Sequence, residues 1–240
     1  MLRIALVLVV LGGQEISPRP ERTPPALPAP DGSGRSIFTL DAQAPGFDGK
    51  SRPIVHPIKG LVGWTTPEGT PSDWVFDKDG VLHVSEFDAV IPLEFGDVQL
   101  HIEYSLPYTP GRIGTDKASS GIVIHGRYEV ELLDSYGRPP TVTCCGALKG
   151  LVPPVANASL PAPGWQTADL FFRAPRFVDG SLTENPRLTL LLNGSLVLNN
   201  IEIEKPTEDA VAEDMPERGL LHLQGSVDSV MFRNLWMRRP

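Results

Sequence analysis

Short stretches in which apolar and polar residues alternate recur along the chain from residue 98 onward, and they predict β-strands. In residues 98–104, Val98, Leu100, Ile102 and Tyr104 alternate with polar side chains, so this strand has one apolar and one polar face. Further strands are predicted at residues 167–173, 188–192, 195–198, 220–224 and 230–237. The Asn193-Gly194 pair between two Leu-rich runs predicts a type I′ hairpin turn.

The same pattern predicts the fold class. No segment combines a 3.6-residue apolar period with caps at both ends, so no long helix is expected. The chain has 25 prolines and 23 glycines, as expected for many strands joined by turns. We therefore predict an all-β fold, in which a two-sheet antiparallel sandwich buries the strands.

Residues 119–136 read as one β-strand with two chemically different faces. One face is apolar: Ile122, Ile124, Tyr128, Val130 and Leu132. The other face is charged, and Asp134 follows just past the strand end: His125, Arg127, Glu129 and Glu131. Such a row could hold a polar ligand, a metal ion or a catalytic acid and base, and an ordinary solvated face is the alternative.

The length and net charge of the chain exclude some classes of function. The chain has 240 residues, 41% of them hydrophobic, which suits one folded domain. The net charge is −8, and no Lys/Arg cluster could neutralise a run of phosphates. Nucleic acid and anionic membrane surfaces are therefore not expected as partners.

The N-terminal region predicts export. Residues 1–13 combine one arginine, an apolar run at positions 4–11 and two glycines, as in a secretory signal peptide, although a core strand is the alternative. That run is too short to span a bilayer, so no membrane span is predicted. Residues 14–36 are rich in proline and predict an extended tether before a domain at 37–240. We expect a secreted or periplasmic protein.

The two cysteines are adjacent in the sequence, at Cys144 and Cys145. Their Cα atoms are closer than the spacing that disulfides normally use. We therefore predict buried free thiols and no structural disulfide.

A series of short motifs, in order along residues 47–239, resembles the 3-keto-disaccharide hydrolase family. The motifs are Phe47-Asp-Gly-Lys50, Gly63-Trp64, Asp79-Gly-Val-Leu82, Phe95-Gly-Asp97, Gly126-Arg-Tyr-Glu-Val130, Leu133-Asp-Ser135, Cys145-Gly-Ala147, Trp165-Gln-Thr167, Ala174-Pro175, Asn193-Gly194, Leu223-Gln224, Phe232-Arg-Asn234 and Trp236. The resemblance implies a concanavalin A-like or laminin G-like jelly roll with one concave, ligand-facing sheet.

The resemblance also implies a ligand and a reaction. The ligand would be a sugar or glycoside whose C3 hydroxyl has been oxidised to a ketone. The ketone acidifies the C2 proton, so a base can remove it while the C1 glycosidic oxygen leaves. The enolate needs a positive partner, which could be Arg127 or a divalent ion such as Ca²⁺ or Mn²⁺. No organic cofactor is expected.

Three motifs depart from the family pattern. Family members usually carry Asn-Ser-Gly where this chain has Ser119-Ser120-Gly121, and Tyr where it has Lys149. They carry Asp-His-Gly where it has Gly225-Ser226-Val227. Because Asp and His suit metal ligation and proton transfer, the last change favours a retuned or degenerate site.

Glu129 and Glu131 are the predicted general base or metal ligands, and an exposed ion-pair ladder with Arg127 is the alternative. Arg127 would orient substrate oxygens or stabilise the enolate. His125 would shuttle a proton, or is a surface residue.

The remaining predicted roles concern binding. The substrate-contacting set is Lys149, Gln224, His101 and Glu103, the last two only if their strand lies in the concave sheet. Asp134 would join Glu129 and Glu131 at a metal ion, or would cap a turn.

Three functions remain open. The first is an exported lyase or hydrolase of 3-keto-glycosides. The second is a non-catalytic carbohydrate-binding jelly-roll module with a degenerate site, and the third is a structural domain behind the proline-rich tether. The sequence predicts no oligomeric state.

Overall fold

The computed structural model describes residues 52–53, 63–208 and 210–238, which all belong to one compact unit. The predicted signal peptide (1–13) and tether (14–36) lie outside the described residues. The strands are β1 (Arg52–Pro53), β2 (Val75–Phe76), β3 (Leu82–His83), β4 (Ala89–Phe95), β5 (Val98–Ser105), β6 (Ser119–Ile124), β7 (Tyr128–Leu133), β8 (Trp165–Arg173), β9 (Arg176–Val178), β10 (Ser181–Glu184), β11 (Arg187–Leu192), β12 (Ser195–Glu202), β13 (Gly219–Leu223) and β14 (Met231–Arg238). Within these ranges one 3₁₀ turn, Gly114–Asp116, is the only helical element.

The strands form two main antiparallel sheets and a small hairpin. The eight-stranded sheet has the order β12-β11-β8-β5-β14-β3-β2, with β1 also paired to β14. The four-stranded sheet has the order β4-β13-β6-β7, and β9 pairs with β10. The protein is an all-β, two-sheet jelly-roll sandwich, as the sequence predicts.

The hydrophobic core consists of the apolar sides of the strands. In β5, Val98, Leu100, Ile102 and Tyr104 are almost completely buried. In β6 and β7 the buried apolar residues are Ile122, Ile124, Tyr128, Val130 and Leu132. These side chains belong to one continuous cluster, so residues from both sheets share a single core.

Most predicted strands are confirmed, with boundaries that differ by a few residues. Residues 98–104, 167–173, 188–192, 195–198, 220–224 and 230–237 correspond to β5, β8, β11, β12, β13 and β14. Asn193 and Gly194 have φ of 51° and 77° and join β11 to β12 in the predicted hairpin. Cys144 and Cys145 are buried free thiols, as predicted.

The single strand predicted for residues 119–136 is wrong, because the chain reverses there. β6 and β7 form a hairpin, and Arg127 N–H donates to the Ile124 carbonyl at 2.9 Å. His125 and Gly126 have φ of 56° and 65°, the two positive values that a type I′ turn requires. Ile124 pairs with Tyr128 across the hairpin, so the two share a face, as they would in one strand. The alternation therefore passes through the turn unchanged.

His125 lies inside the core instead of on the charged face. Its ring centroid is 5.0 Å from that of Phe95 and 4.9 Å from that of Phe172. Burial lowers the pKa of His125, and the nearby backbone carbonyls of Phe95, Gly96 and Pro216 only partly oppose that change. The imidazole is therefore neutral in the folded protein near pH 7, and its predicted proton-shuttle role is not supported.

The burial of His125 predicts acid-sensitive stability. Its pKa is lower in the folded state than in the unfolded chain, so its contribution is fully present above about pH 6.5 and is lost as pH falls. We expect urea unfolding followed by tryptophan fluorescence to give a smaller free energy of unfolding at pH 5.0 than at pH 7.5.

The variant His125→Asn should reduce that pH dependence, since Asn also tolerates a positive φ. His222→Asn removes the other histidine whose pKa burial lowers and serves as the comparison. An unchanged pH dependence in His125→Asn would show that this imidazole is not the titrating group.

Candidate active site on the four-stranded sheet

Glu129 and Glu131 lie on the side of the four-stranded sheet that faces away from the core. Across the β6–β7 ladder Glu129 is paired with Val123, and Glu131 with Gly121. Residues that pair directly share a face, and the intervening Val130 points into the core. The two carboxylates therefore stand next to each other on one face, as predicted. Their side chains are only 1% and 9% exposed.

Lys149 lies between these two carboxylates. Its Nζ is 2.9 Å from Oε1 of Glu129 and 3.6 Å from Oε2 of Glu131. Its side chain is 24% exposed, more than either glutamate. We call these three residues the Glu–Lys–Glu cluster. The sequence placed all three in the site but did not predict that they form ion pairs.

Backbone hydrogen bonds fix Lys149 at this position. The segment 146–149 runs along the outer edge of β7, where Glu131 N–H donates to the Ala147 carbonyl at 3.0 Å. In the same ladder Gly146 N–H donates to the Glu131 carbonyl, and Lys149 N–H to the Glu129 carbonyl. The lysine is thus held against β7 by contacts that do not involve its side chain.

Gly121 makes room for the Glu129 side chain. A Cβ atom at Gly121 would lie 2.6 Å from Oε1 and 3.0 Å from Cδ of Glu129, well inside van der Waals contact. The Glu129 carboxylate therefore lies over the backbone of β6. Only glycine at this position allows that placement without a shift.

Strand β13 adds His222 to the same outer face, and Gln224, the residue directly after the strand, joins it. His222 pairs with Val123, and Gln224 N–H donates to the Gly121 carbonyl at 2.9 Å. By strand alternation both side chains are on the side of the sheet that carries Glu129. Asp88 comes just before β4, and its Oδ1 accepts the Gly225 N–H at 2.8 Å. Gln224 was predicted for the site, whereas His222 and Asp88 were missed.

His222 is largely covered and electrostatically coupled to its surroundings. Burial lowers its pKa, Asp88 opposes that change, and the Arg127 guanidinium adds to it. Near pH 7 the imidazole is therefore neutral and can accept or donate one hydrogen bond. Alternation within the predicted strand 220–224 already puts His222 beside Gln224, and that signal could have identified it.

Arg127 is bound to the loop that carries Asp214. It follows the hairpin turn, and its Nε and Nη2 both bind Oδ1 of Asp214, at 3.0 and 2.5 Å. Its Nη1 also donates to the carbonyls of His125 and Gly126. Its side chain is 12% exposed, so these bonds hold the guanidinium against the loop. Its predicted role toward substrate oxygens or an enolate stays a prediction.

His101 and Glu103 do not face this site. They belong to β5, which lies in the eight-stranded sheet, and they project from its outer face. His101 Nδ1 is 2.7 Å from Asp169 Oδ1, and its ring stacks on Trp236 with centroids 5.2 Å apart. Because the core separates the two outer faces, His101 and Glu103 lie on the opposite side of the sandwich from Glu129 and Glu131. A substrate-binding role beside those two glutamates is therefore not supported.

Hydrogen bonds also occupy Glu103. Burial raises its pKa, but the donors from Asn234 and Arg233 outweigh burial and hold the pKa below its ordinary value. The Arg233 Nε lies 2.7 Å from the carboxylate. Glu103 is thus the acceptor of a structural network.

The residues present do not fit the predicted metal site. Asp134 forms an ion pair with Lys117, and the Lys117 Nζ is 2.6 Å from the Asp134 Oδ2. By the alternation of side chains along a strand, Asp134 falls on the opposite face of the sheet from Glu129 and Glu131. Within residues 63–208 and 210–238, no three His, Cys, Asp or Glu side chains are grouped so that they could hold a metal ion. At the two glutamates, the Lys149 ammonium supplies the positive charge.

The Gly225-Ser226-Val227 segment is built into the structure by its backbone. Ser226 N–H donates to the Ser85 carbonyl at 2.7 Å, and a Cβ at Gly225 would lie 2.5 Å from the Glu86 carbonyl oxygen. Val227 is 84% exposed. The segment contributes neither a carboxylate nor an imidazole, so the acidic and basic groups here come from β7, β13, Asp88 and Lys149.

Comparison with known proteins identifies the family. The sequence model of the 3-keto-alpha-glucoside-1,2-lyase-like domain matches residues 47–238. The chain belongs to this 3-keto-alpha-glucoside-1,2-lyase-like family. Membership confirms the resemblance read from the short motifs, and it places the protein in a carbohydrate-active, glycosyl hydrolase-like group. No curated protein matches the sequence.

Solved structures with the same fold come from Parabacteroides distasonis. A crystal structure of a protein provisionally assigned as a glycosyl hydrolase is 28% identical, with a TM-score of 0.71, covering 80% of this chain and 84% of that one. A second has 20% identity and a TM-score of 0.55, covering 80% and 100%. A third has 15% identity and a TM-score of 0.52, covering 74% and 88%. The last two support the fold alone.

The part of this family member that the structure describes contains no helix long and apolar enough to cross a membrane.

The close approach of Gly121 to Glu129 predicts a selective effect of Gly121→Ala. The new methyl group would push the Glu129 carboxylate away from Lys149, and we expect a loss of about 1–3 kcal/mol in the free energy of unfolding. Urea titration followed by tryptophan fluorescence measures this loss.

A double-mutant cycle isolates the contact. In the Glu129→Ala background, Gly121→Ala should cost less than in the wild type, because the clashing side chain is absent. Equal costs in both backgrounds would contradict the placement of Glu129 over β6.

Proposed function

We propose that the protein is an exported enzyme that cleaves 3-keto-glycosides by elimination at C1 and C2 of the sugar. The observation that carries the proposal is the Glu–Lys–Glu cluster on the outer face of the four-stranded sheet, in a member of this carbohydrate-active family. A base and a cation on one face are the two groups that the chemistry needs.

The reaction balances as an elimination followed by hydration. A base removes the C2 proton, and the C2–H electron pair moves toward the C3 ketone to give an enolate. As the enolate collapses, C1=C2 forms, the C1–O bond breaks and the aglycone oxygen takes up a proton. Water then adds across the double bond of the enone, so the net result is hydrolysis.

Glu129 is the proposed base. Its carboxylate can accept the C2 proton and return it to the leaving oxygen, which closes the proton balance within the site. Lys149 is the proposed partner of the enolate oxygen, in place of Arg127, which is engaged with Asp214. Because Lys149 is the most exposed member of the cluster, a sugar approaching this face meets it first. Glu131 then serves to keep the ammonium in position.

Gln224 and His222 are proposed to orient the sugar hydroxyls. The amide of Gln224 can donate and accept, and neutral His222 can do the same. Asp88 lies close enough to His222 to act on its charge, so it can fix the orientation of the imidazole. No step is assigned to a metal ion, since the residues present do not fit one.

Export is proposed on the sequence of residues 1–13, whose apolar run and glycines are typical of a secretory signal. A secreted or periplasmic location would place the enzyme where glycosides are available.

A second candidate function is a carbohydrate-binding module without catalysis. The specific observation in its favour is that the Glu129 side chain is 1% exposed and held by Lys149, so the base must be released before it can react. The Gly225-Ser226-Val227 segment, which replaces Asp-His-Gly of the family, supports the same alternative.

Replacing Glu129 by Gln tests the enzymatic proposal. With a 3-keto-glucoside as substrate, we expect kcat to fall by about 100-fold or more, because general-base catalysis contributes at least that much. Aglycone release and the ultraviolet absorbance of the enone measure the rate. Glu213→Gln, at an exposed position, is the matched control and should keep the rate. Sugar binding by the wild type with no product would instead support the binding module.

Replacing His222 by Asn tests the orienting role. We expect KM to rise by about 5- to 10-fold with a smaller change in kcat, since an orienting hydrogen bond contributes about 1 kcal/mol. Steady-state kinetics at pH 7.5 separates the two parameters. A fall in kcat as large as that of Glu129→Gln, with KM unchanged, would assign His222 to the chemical step instead.

A further inference from the structure

A groove of about 480 Å³ lies on the outer face of the eight-stranded sheet, on the far side of the core from the Glu–Lys–Glu cluster. Its volume falls in the range of small-molecule binding sites. The side chains come from four neighbouring strands, β5, β8, β11 and β14, and from Asn200 of β12. The groove is therefore built mainly on regular sheet.

An exposed aromatic ring stands in the middle of the groove. Phe171 of β8 is 43% exposed, although strands around it bury most of their aromatic side chains. The sheet register pairs Phe171 with Thr189 on one side and with Gln99 on the other, and Gln99 pairs in turn with Arg238. The ring is thus flanked by a hydroxyl and an amide, and a guanidinium lies one strand further away. Asn200 adds a second amide beside Thr189.

The lining of the groove is rich in guanidinium groups, in contrast to the acidic chain as a whole. Arg173, Arg187 and Arg238 line it with a single carboxylate, Asp97, whereas the net charge of the chain is −8. Arg173 and Arg187 are direct cross-strand partners, a placement that like charges disfavour. Two guanidinium groups side by side on adjacent strands repel each other, and an anion bound between them relieves that repulsion.

The present partners of these two arginines can be exchanged. Arg173 pairs with Glu184, and Arg187 pairs with Glu202 at 2.5 Å. All four side chains are between 32% and 52% exposed, and ion pairs with that exposure contribute little to stability. A ligand carboxylate can therefore bind either guanidinium at small cost to the fold.

We propose that this groove is a second carbohydrate site, which binds an oligosaccharide that carries carboxylate groups. An apolar sugar face packs on Phe171, the amides of Gln99 and Asn200 bind hydroxyls, and the Arg173–Arg187 pair binds the carboxylate. A simple inorganic anion would need the arginines but not the ring. The site is separate from the proposed catalytic face, so it does not depend on the 3-keto-glycoside reaction.

The experiment is calorimetric titration of the full chain with tri-galacturonic acid as the probe. We expect binding that weakens by about tenfold or more in Phe171→Ala and in Arg187→Gln, a change of at least 1.4 kcal/mol. Phe171→Tyr keeps the ring and should bind within about twofold of the wild type. The fully methyl-esterified trisaccharide has the same rings without charge and should bind about tenfold more weakly than the acid.

Two further variants locate the site. Phe87→Ala removes another exposed aromatic ring, 55% exposed and outside the groove, and should bind as the wild type does. Glu129→Gln alters the opposite face and should also leave binding unchanged. The proposal is overturned if the wild type does not bind the acid, if Phe171→Ala binds normally while folded, or if the ester binds equally well. Loss of binding in Glu129→Gln alone would place the sugar on the four-stranded sheet instead.

Discussion

The ammonium group of Lys149 between two nearly buried carboxylates is the interaction on which the candidate site depends. Two carboxylates on one strand face, 1% and 9% exposed, would repel each other and pay a desolvation cost without a counter-ion. Removing one partner of such a buried group typically costs about 3–5 kcal/mol, so the cation is part of the structure of β7. The same cation gives the site its chemical character, since it offers positive charge where an enolate would form.

The sequence predicted the strands well because their signal is local. Alternation in residues 98–104 and the Asn193-Gly194 turn depend only on neighbours in the chain, and both were confirmed. The reversal at His125-Gly126 was missed because a three-residue connection leaves Ile124 and Tyr128 on the same face, as a continuous strand does. The alternation pattern therefore gave no evidence of the turn. At the reversal, Gly126 was the residue typical of a hairpin turn.

The site was predicted in part, because sheet membership is not a local property. Glu129 and Glu131 were predicted to share a strand face, and they do. Lys149 and Gln224 were named as site residues without a position, and the structure brings them to the same face. His101 and Glu103 have an equally polar strand face, but β5 pairs with β8 and β14 and so joins the other sheet. For His222 the strand pairing has the opposite effect. His222 lies in the candidate site because β13 pairs with β6. These pairings join segments about 65 to 130 residues apart and are decided by packing of the whole core.

The segment that carries Lys149 has two separate roles. The 146–149 segment closes the open edge of β7 through backbone groups alone, and it also carries the lysine. The backbone pairing that shields the edge from other strands is therefore independent of the side chain at position 149. The charge balance of the two glutamates is not, because both carboxylates are nearly buried against the ammonium group. A neutral side chain at this position would leave the edge covered but would leave two carboxylates without their cation.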